Sequence, residues 1–337
     1  MNTYRGRPYR SIVLAALLVL LALGRSAAQA AGLGGDDIAV WRPSNGTWYV
    51  LNRATGVVLT RQLGVAGDIP VAADYDSDGT TDFAVWRPST GMWFVANSST
   101  GRTWRRQWGT PGDIPVPGNY EIASGNIFDF GASRTELAVF RPSNGTWYVL
   151  NRQTGATHTS QLGTAGDVPV PGFYDYYEPT GAPPPARPLP GFYVPTFAVW
   201  RPSSGVWFVK NVRSGETSSK QLGTWGDVPV LADYDNDGRT DFAVWRPYDA
   251  VTGVTGVWRI LNSSTRRVRN RQWGVWGDIP MPRDYDGDGR VDIAIWRPST
   301  GVWWIINSSN GSVATQQWGA YGDVPVHYHV LPPPRSK

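Results

Sequence analysis

The sequence DYDGDGRVDIAIWRP, residues 284–298, joins an acidic loop directly to a short apolar segment. Asp284, Asp286 and Asp288 stand at alternate positions, and Asp292 ends the loop. Four carboxylates this close together repel one another unless a hard cation, which takes about six to eight oxygen ligands, lies between them. The stretch therefore predicts a calcium-binding loop.

The residues that follow the loop distinguish between kinds of calcium site. A helix–loop–helix site requires a bidentate acid at its twelfth position, which here is Ile295. Ile295 belongs to the run IAIW, residues 293–296, whose β-branched and aromatic composition favours a strand. The loop is therefore predicted to join one strand to another.

Residues 1–30 have the pattern of a secretory signal peptide. Three arginines precede the apolar run 12–23, and the small residues 28–30 provide a cleavage site. An uncleaved membrane anchor is the alternative, but a run of twelve residues is shorter than the roughly 20 that a span requires. We expect a mature chain from residue 31 that is secreted or periplasmic and has no membrane span.

Composition limits the partners and the fold class. Four of the 31 basic residues lie within residues 1–30, so the remaining chain has 27 basic and 27 acidic residues and no basic cluster that predicts nucleic-acid binding. The chain has no cysteine for a disulfide. Its 18 Trp and 39 Gly, with few helix-favouring stretches, predict an all-β protein with many tight turns.

An internal repeat sets the organisation. A segment with the pattern apolar-Ala-apolar-aromatic-Arg-Pro occurs six times, at spacings of 45, 54, 60, 45 and 51 residues. The base period is therefore 45, which is typical of stacked or radial arrays of small units. The aromatic position of the repeat is Trp41, Trp86, Phe140, Trp200, Trp245 and Trp296.

Each repeat contains four predicted strands, the number in a propeller blade. The Asn-Gly pairs at 45 and 145 predict hairpins, and Gly-Asp-Ile/Val-Pro begins a short strand before each loop. The last such strand, near 324–326, has no successor, and the first aromatic strand, 38–42, has no predecessor. Pairing of these two predicts six four-stranded blades in a closed ring without free edges. An open stack would need capping units, and none is recognisable.

Three segments depart from the period. Residues 172–196 include the Pro-rich run 181–185 and are expected to form an extended surface loop. Residues 121–135 are rich in Gly, Ser and Asn, and residues 249–256 lengthen one hairpin. Residues 331–337 are expected to form a disordered tail.

The segments GDIPV, DYDxDGxxD and DFAVWRPSTGxW together resemble the FG-GAP or VCBS repeat of integrin alpha-chain propellers and secreted bacterial proteins. The resemblance covers residues 36–327, nearly all of the expected propeller domain at 31–330. It implies calcium in the acidic loops, with the backbone carbonyl of the residue two positions before the last Asp, which is Thr80, Arg239 or Arg290, completing each site. Relatives are often seven-bladed, whereas six units are present here, and half of the loops are degenerate.

Three of the six loops keep all four aspartates, which makes calcium more probable than a polar turn that binds nothing. Such exposed extracellular sites bind weakly, with Kd on the order of 10⁻⁴ to 10⁻³ M, so calcium is expected to brace the fold. Residues 119–136 and 173–196 and the first unit, with Asp36 and Asp37 only, are expected to bind none. The predicted ligands, including the carbonyls that the resemblance implies, are Asp74, Asp76, Asp78, Thr80 and Asp82; Asp233, Asp235, Asp237, Arg239 and Asp241; and Asp284, Asp286, Asp288, Arg290 and Asp292.

Two charged residues recur at the same positions in all six units: the Arg after the repeated aromatic and the Asp of Gly-Asp-Ile/Val-Pro. A structural pair or turn cap is the simpler interpretation, and a charged ring lining a channel is the alternative. The repeated Trp residues are expected to pack between blades.

The aromatics that do not repeat favour a binding function. In the turn Gly-x-x-Gly-Asp, the second x is Ala66, Pro111 and Ala165 in the first three units but Trp225, Trp276 and Tyr321 in the last three. A packing requirement common to all units would not vary in this way. The three rings are expected on one rim, where they stack on sugars or a partner, or else cover neighbouring loops.

No enzyme motif occurs. The three His, at 158, 327 and 329, do not form a known site, and His327 with His329 is a weak metal signal. We therefore expect a monomeric, non-catalytic module that binds an extracellular glycan or another extracellular ligand. A protein-binding adhesion or scaffold module is the second hypothesis, and an enzyme with a site at the channel mouth is the third.

Overall fold

The structure, a computed structural model, describes residues 37–120, 135–176, 193–249 and 252–326. These residues form strands and turns and no helix. No helix with the length and apolar character of a membrane span occurs among them. The predictions for residues 1–36, for the runs 121–134 and 177–192, and for His327, His329 and the C-terminal tail lie outside the described residues.

Each of the six sheets has the same antiparallel order of four strand types. The first type is two residues long: β4 (Ile69–Pro70), β8 (Ile114–Pro115), β12 (Val168–Pro169), β17 (Val228–Pro229), β21 (Ile279–Pro280) and β25 (Val324–Pro325). The second type contains the repeated aromatic: β1 (Asp37–Arg42), β5 (Phe83–Arg87), β9 (Leu137–Arg141), β14 (Tyr193–Arg201), β18 (Phe242–Tyr248) and β22 (Ile293–Arg297).

The third and fourth strand types complete each sheet, and the fourth forms its exposed edge. The third strands are β2 (Thr47–Asn52), β6 (Met92–Ala96), β10 (Thr146–Leu150), β15 (Val206–Asn211), β19 (Thr255–Leu261) and β23 (Val302–Ile306). The fourth strands are β3 (Val58–Gln62), β7 (Thr103–Gln107), β11 (Thr157–Gln161), β16 (Thr217–Gln221), β20 (Val268–Gln272) and β24 (Val313–Gln317).

The ring closes as predicted, through the two ends of the propeller. Strand β25 pairs with β1, with Val40 opposite Pro325 and Trp41 opposite Val324. Blade 1 is therefore β25-β1-β2-β3, and blades 2 to 6 follow in chain order. This confirms six blades and removes two sheet edges that would otherwise be free.

Six hydrophobic clusters occupy the six interfaces between consecutive blades. One joins Trp41 and Trp48 of blade 1 to Phe83 and Val85 of blade 2. The last joins blade 6 to blade 1 and includes Val40. Because each cluster takes residues from two neighbouring blades, apolar packing rather than strand pairing holds the blades in a ring.

The repeated Trp residues are core, as predicted. Trp86 and Trp93 are fully buried, and both indole N–H groups donate to the carbonyl oxygen of Trp108, at 3.2 and 2.8 Å. Trp41 and Trp48 share the carbonyl oxygen of Leu63 in the same way. The paired donors satisfy the indole groups inside the core and fix the turn that follows the fourth strand.

The repeated charges form pairs, which confirms the structural interpretation and not the charged channel. Arg87 Nε and Nη2 donate to the two carboxylate oxygens of Asp68 at 2.8 and 3.0 Å, and the Val65 N–H also donates to Asp68. The Asp side chain is 1 % exposed. All six blades have this bidentate pair: Arg42–Asp323, Arg87–Asp68, Arg141–Asp113, Arg201–Asp167, Arg246–Asp227 and Arg297–Asp278.

The surface-loop prediction for residues 172–196 is wrong at both ends of the segment. Strand β13 (Gly172–Tyr176) pairs with the lengthened β14, which adds a fifth strand to blade 4. The physical reason is that Phe-Tyr and Tyr-Val sequences on either side of the Pro-rich run have strand propensity. The hairpin at residue 249 is confirmed, since the Asp249 N–H donates to the carbonyl of Val254.

Candidate calcium loops and aromatic rim

The three acidic loops lie at one end of the blades, where each connects a first strand to a second strand. They occupy residues 74–82 in blade 2, 233–241 in blade 5 and 284–292 in blade 6. In each loop, one carboxylate oxygen from each of three aspartates lies within 4.8 Å of the others: Asp74, Asp76 and Asp78; Asp233, Asp235 and Asp241; Asp284, Asp286 and Asp292. Each cluster thus contains three of the four predicted aspartates, and Asp82, Asp237 and Asp288 lie outside them.

The first aspartate of each loop holds the loop backbone. Asp74 accepts hydrogen bonds from the N–H groups of Ser77 and Gly79, at 2.6 and 2.9 Å. Asp284 accepts the corresponding bonds from Gly287 and Gly289. The Thr80 N–H donates to Asp78, which brings the predicted carbonyl-bearing residue next to the site. These bonds fold the loop around its carboxylates.

The last aspartate of each loop is fully buried and links the loop to the third strand. Asp82 accepts the Tyr75 N–H at 2.9 Å and the Ser98 N–H at 2.6 Å. Asp241 accepts the N–H groups of Tyr234 and Ser263 in the same arrangement. The fourth aspartate therefore sets the position of the loop against its own blade.

A pair of serines is a part of the site that sequence reasoning missed. Ser98 Oγ donates to Asp78 at 2.7 Å, and Ser99 Oγ donates to Asp76 at 2.5 Å. The sequence Asn-Ser-Ser occurs at 97, 262 and 307, in the three blades that have acidic loops, and the other blades have Asn-Arg or Asn-Val there. Ser263 with Ser264 and Ser308 with Ser309 make equivalent bonds. This covariation within one chain was the available signal.

The donors present fit a hard cation. Asp76 Oδ1 and Asp235 Oδ1 are buried, and no group of the described residues donates a hydrogen bond to either oxygen. A buried carboxylate oxygen without a partner is costly unless a cation satisfies it. The all-oxygen ligand set, without His or Cys, favours calcium or magnesium over zinc.

Burial and charge crowding change the acidity of the loops. Burial raises the pKa of Asp82 to about 6, against hydrogen bonds from Ser98 and Tyr75 that lower it. Burial likewise raises the pKa of Asp241 to about 7, and the charge of Asp235 adds to this. Burial also tends to raise the pKa of Asp237, but hydrogen bonds from Ser263 and Arg239 and the Arg239 charge lower it overall. A bound cation would remove the cost of ionising Asp82 and Asp241.

In blades 1 and 3, whose loops are degenerate in sequence, an acid occupies the same structural position as the last aspartate of the acidic loops. Glu136 in blade 3 accepts the Tyr120 N–H and the Asn151 side chain, both at 3.0 Å. Asp37 in blade 1 accepts the Asn52 side chain at 2.8 Å. A closing acid thus makes the loop-to-strand link also in blades whose sequence lacks the four-aspartate pattern.

Arginines in the degenerate blades contact the acidic loop of the preceding blade. Arg152 of blade 3 donates to the Tyr75 carbonyl at 2.5 Å, and its guanidinium lies 4.1 Å from the Trp104 ring centre. Arg53 of blade 1 donates to the carbonyl of Tyr285 at 2.9 Å. In five blades the residue after the repeated Asn therefore either serves its own acidic loop, as Ser, or supports a neighbouring one, as Arg; in blade 4 it is Val212, which packs against the core.

The three non-repeated aromatics lie at the opposite end of the blades from the acidic loops, in turns that join a fourth strand to the next first strand. Trp225, Trp276 and Tyr321 are 75, 64 and 86 % exposed. Most of each ring is therefore open to solvent. Their turns belong to consecutive blades, so the rings lie along one side of the rim.

The repeated Arg–Asp pair holds each of these turns. Asp278 accepts the Val275 N–H at 2.8 Å and binds both arms of Arg297, so the turn that carries Trp276 is fixed at two points. Asp227 does the same for the turn of Trp225. The rings are therefore presented from rigid turns, which lowers the entropy cost of binding through them.

Comparisons with known proteins support the fold. No protein-family model and no curated protein matches the chain. TolB from Acinetobacter baumannii is similar in structure at a TM-score of 0.53 and 14% identity, over 98% of this chain and 73% of TolB. A chain of a nidogen–laminin complex matches at 0.51 and 9% identity, over 87% of this chain and 100% of that chain. Dihydro-heme d1 dehydrogenase NirN aligns at 0.38 and 15% identity, over 84% of this chain and 53% of its own length. The likeness to TolB and to the nidogen–laminin chain, at these identities, shows a shared propeller fold and no function.

Proposed function

We propose that this chain is a calcium-braced propeller of the FG-GAP or VCBS kind that acts outside the cytoplasm as a non-catalytic carbohydrate-binding module. The observation that carries the proposal is the presence of three exposed aromatic rings on rigid turns of consecutive blades. In those turns the first three units have Ala or Pro instead. An exposed ring costs solubility, and three at one side of a symmetric fold indicate selection for contact with a ligand.

A sugar ligand fits the form of this surface. The rings of Trp225 and Trp276 stand on separate turns of consecutive blades, Trp225 between Thr224 and Gly226 and Trp276 between Val275 and Gly277. A protein partner favours a contiguous patch with a buried apolar centre. Flat, separated rings instead suit the apolar faces of successive sugar units, with hydroxyl groups left to solvent and to turn backbone groups.

Calcium has a structural part in this proposal. The acidic loops lie at the far end of the blades from Trp225, Trp276 and Tyr321, so a bound ion does not contact a ligand on the rim. When bound, the ion would neutralise the crowded carboxylates of loops 74–82, 233–241 and 284–292 and satisfy Asp76 Oδ1 and Asp235 Oδ1. The loops then hold the blades that carry the binding turns.

Glycan-array binding tests the proposal. We expect the wild-type chain to bind a subset of glycans, and the double variant Trp225→Ala/Trp276→Ala to lose that binding at unchanged thermal stability. Phe173→Ala, which removes a 37 % exposed ring beside the acidic loop at the other end of the blades, is the matched control and should bind normally. Retention of glycan binding by the double variant would refute the proposal. Capture of a protein partner that free sugar does not displace would favour an adhesion module instead.

A further inference from the structure

A groove lies at the outer opening of the interface between blades 5 and 6, at the acidic-loop end. Its volume is about 290 Å³, close to the lower limit of about 300 Å³ for small-molecule pockets. It is a second concave feature, separate from the aromatic rim, and it has both apolar and basic sides. Its lining includes Arg269, Asn270, Arg271, Arg290, Ile306 and Asn307.

The floor of the groove is the hydrophobic cluster between the two blades. Arg269 and Arg271 on β20 stand opposite Ile260 and Trp258 on β19, so the four side chains share one face of blade 5. Ile260 and Trp258 pack against Ile306 and its neighbours in blade 6. The two arginines therefore extend the apolar face outward and form a basic wall above it.

In blades 1, 2 and 3 the residue that corresponds to Arg269 fills this place, whereas in blades 4 and 6 it is the small Ser218 or Ala314. The corresponding residue is Leu59 in blade 1, which packs against the cluster between blades 1 and 2. It is Trp104 in blade 2, which is covered by Arg152, and His158 in blade 3, which stacks on Phe197 at 5.9 Å between ring centres. No apolar or aromatic side chain occupies this position among the residues that line the opening between blades 5 and 6.

The basic groups of the groove have no acidic partner. Among the residues that the structure describes, no carboxylate forms an ion pair with Arg269, Arg271 or Arg290, and no acidic residue lines the groove. In contrast, the arginines that recur in every blade, such as Arg246 and Arg297, each bind an aspartate through two guanidinium N–H groups. Guanidinium groups grouped in this way repel one another and bind carboxylate or sulfate through parallel hydrogen bonds.

A side-chain oxygen of a residue that lines the groove has no hydrogen-bond donor among the described residues. Asn307 Oδ1 is buried and no group of the described residues donates to it, whereas its counterpart Asn52 Oδ1 accepts from Thr55 at 2.8 Å. A hydroxyl group of a ligand would satisfy this acceptor. The groove thus offers cations for an acid group, an acceptor for a hydroxyl and an apolar floor.

The backbone next to the groove is unusual in a way that also adds positive charge. Arg266 adopts φ 54° in the turn before β20, where the other five blades have glycine with φ between 67 and 73°. A side chain in this conformation is strained, and such strain indicates a local function. The segment 266–271 carries four arginines and no acid.

We propose that the groove between blades 5 and 6 binds one acidic sugar residue, carboxylated or sulfated, of a polysaccharide. Arg269, Arg271 and Arg290 bind the acid group, Asn307 accepts a hydroxyl, and one face of the sugar ring rests on Ile306. The groove lies at the other end of the blades from Trp225 and Trp276, so the inference does not depend on the proposed function of the rim.

Titration calorimetry with the full chain tests this assignment. The probes are an oligogalacturonate, a sulfated dextran oligosaccharide, an uncharged dextran oligosaccharide of equal length and sodium sulfate, all in the Trp225→Ala/Trp276→Ala background to remove rim binding. We expect one or both acidic oligosaccharides to bind, which identifies the acid group, and the uncharged one not to bind. Arg269→Gln/Arg271→Gln should weaken that binding by about tenfold or more, the effect of losing charge-assisted hydrogen bonds.

Two further variants make the outcome decisive. Arg105→Gln/Arg106→Gln removes the same charge from the exposed strand β7 of blade 2 and should change the affinity less than about twofold, because only general charge attraction is lost. Arg269→Leu reproduces the blade 1 residue and should abolish binding while thermal stability is kept. Equal loss in both double variants, no binding of either acidic oligosaccharide, or binding of sodium sulfate as tight as that of the sugars would each overturn the proposal.

Discussion

The Arg297–Asp278 pair supports both the fold and the aromatic rim, and the substitution Arg297→Ala separates these two effects. The change leaves the Asp278 carboxylate, which is 1 % exposed, with a single hydrogen bond from the Val275 N–H. Loss of one partner of a buried pair costs about 3–5 kcal/mol. Because the Arg297 side chain is 28 % exposed and water screens it, we expect a smaller loss of about 2–3 kcal/mol in the free energy of unfolding.

Arg87→Ala is the matched control in blade 2. Arg87 holds Asp68 with the same geometry and is 30 % exposed, but the turn that it supports carries Ala66 and no aromatic ring. Urea unfolding should therefore give a similar loss for both variants, about 2–3 kcal/mol. Only Arg297→Ala should also weaken glycan binding, because only its turn presents Trp276.

The result that refutes this reasoning is specific for each part. An Arg297→Ala chain within 0.5 kcal/mol of wild type, roughly the scatter of neutral surface changes, would mean that the pair does not stabilise the blade. Equal weakening of glycan binding by Arg87→Ala would mean that general destabilisation, not the turn of Trp276, affects the rim.

Three further predictions concern the loops and turns. Asp286→Asn should remove one of three calcium sites and, at a hundredfold excess of calcium over Kd, about 2.7 kcal/mol of calcium-dependent stability; an unchanged calcium response in a calcium melt would contradict it. The raised pKa values of Asp82, about 6, and Asp241, about 7, mean that chelator-treated protein loses stability as pH rises from about 4 to 7, since the folded state holds protons that the unfolded state releases. The stabilisation by calcium, measured by thermal melting, should therefore be larger at pH 8 than at pH 5. Gly46→Ala, whose Cβ would lie 2.0 Å from a carbonyl oxygen, should cost more than about 2 kcal/mol in urea unfolding, and Gly56→Ala, with open space around the Cβ, about 1 kcal/mol.

The repeat made the fold predictable from the sequence. A period of 45 residues, the unpaired strand at each end and the Trp columns required six blades, a closed ring and a core between blades, and the structure confirms all three. The Arg and Asp columns were equally predictable, because a charge that recurs in fixed register needs a partner in that register.

The site was predictable only where its residues are adjacent in the chain. The aspartates of 284–292 lie in one loop, so the sequence shows them together, whereas Ser308 and Ser309 reach that loop from the next hairpin and resemble an ordinary polar turn. Pairing of β13 with β14 joins sequences separated by the Pro-rich run, and periodicity does not reveal such a pair.

The basic groove could not be predicted from the sequence for a related reason. The sequence pattern predicts that Arg269 and Arg271 are exposed residues of an edge strand and that Arg290 belongs to a calcium loop. Only the packing of blade 6 against blade 5 brings these three side chains to one opening. Leu59 in blade 1 and Trp104 in blade 2 fill the place that Arg269 leaves open in blade 5, and only the structure shows this difference.

Calorimetric titration of calcium into the chelator-treated chain tests the central claim most directly, since the acidic loops are held to be the calcium sites that brace the propeller. We predict three sites per chain, one for each aspartate cluster, and their loss in a variant with Asp76→Asn, Asp235→Asn and Asp286→Asn. Absence of calcium binding in the wild-type chain, or an unchanged number of sites in the triple variant, would contradict the account.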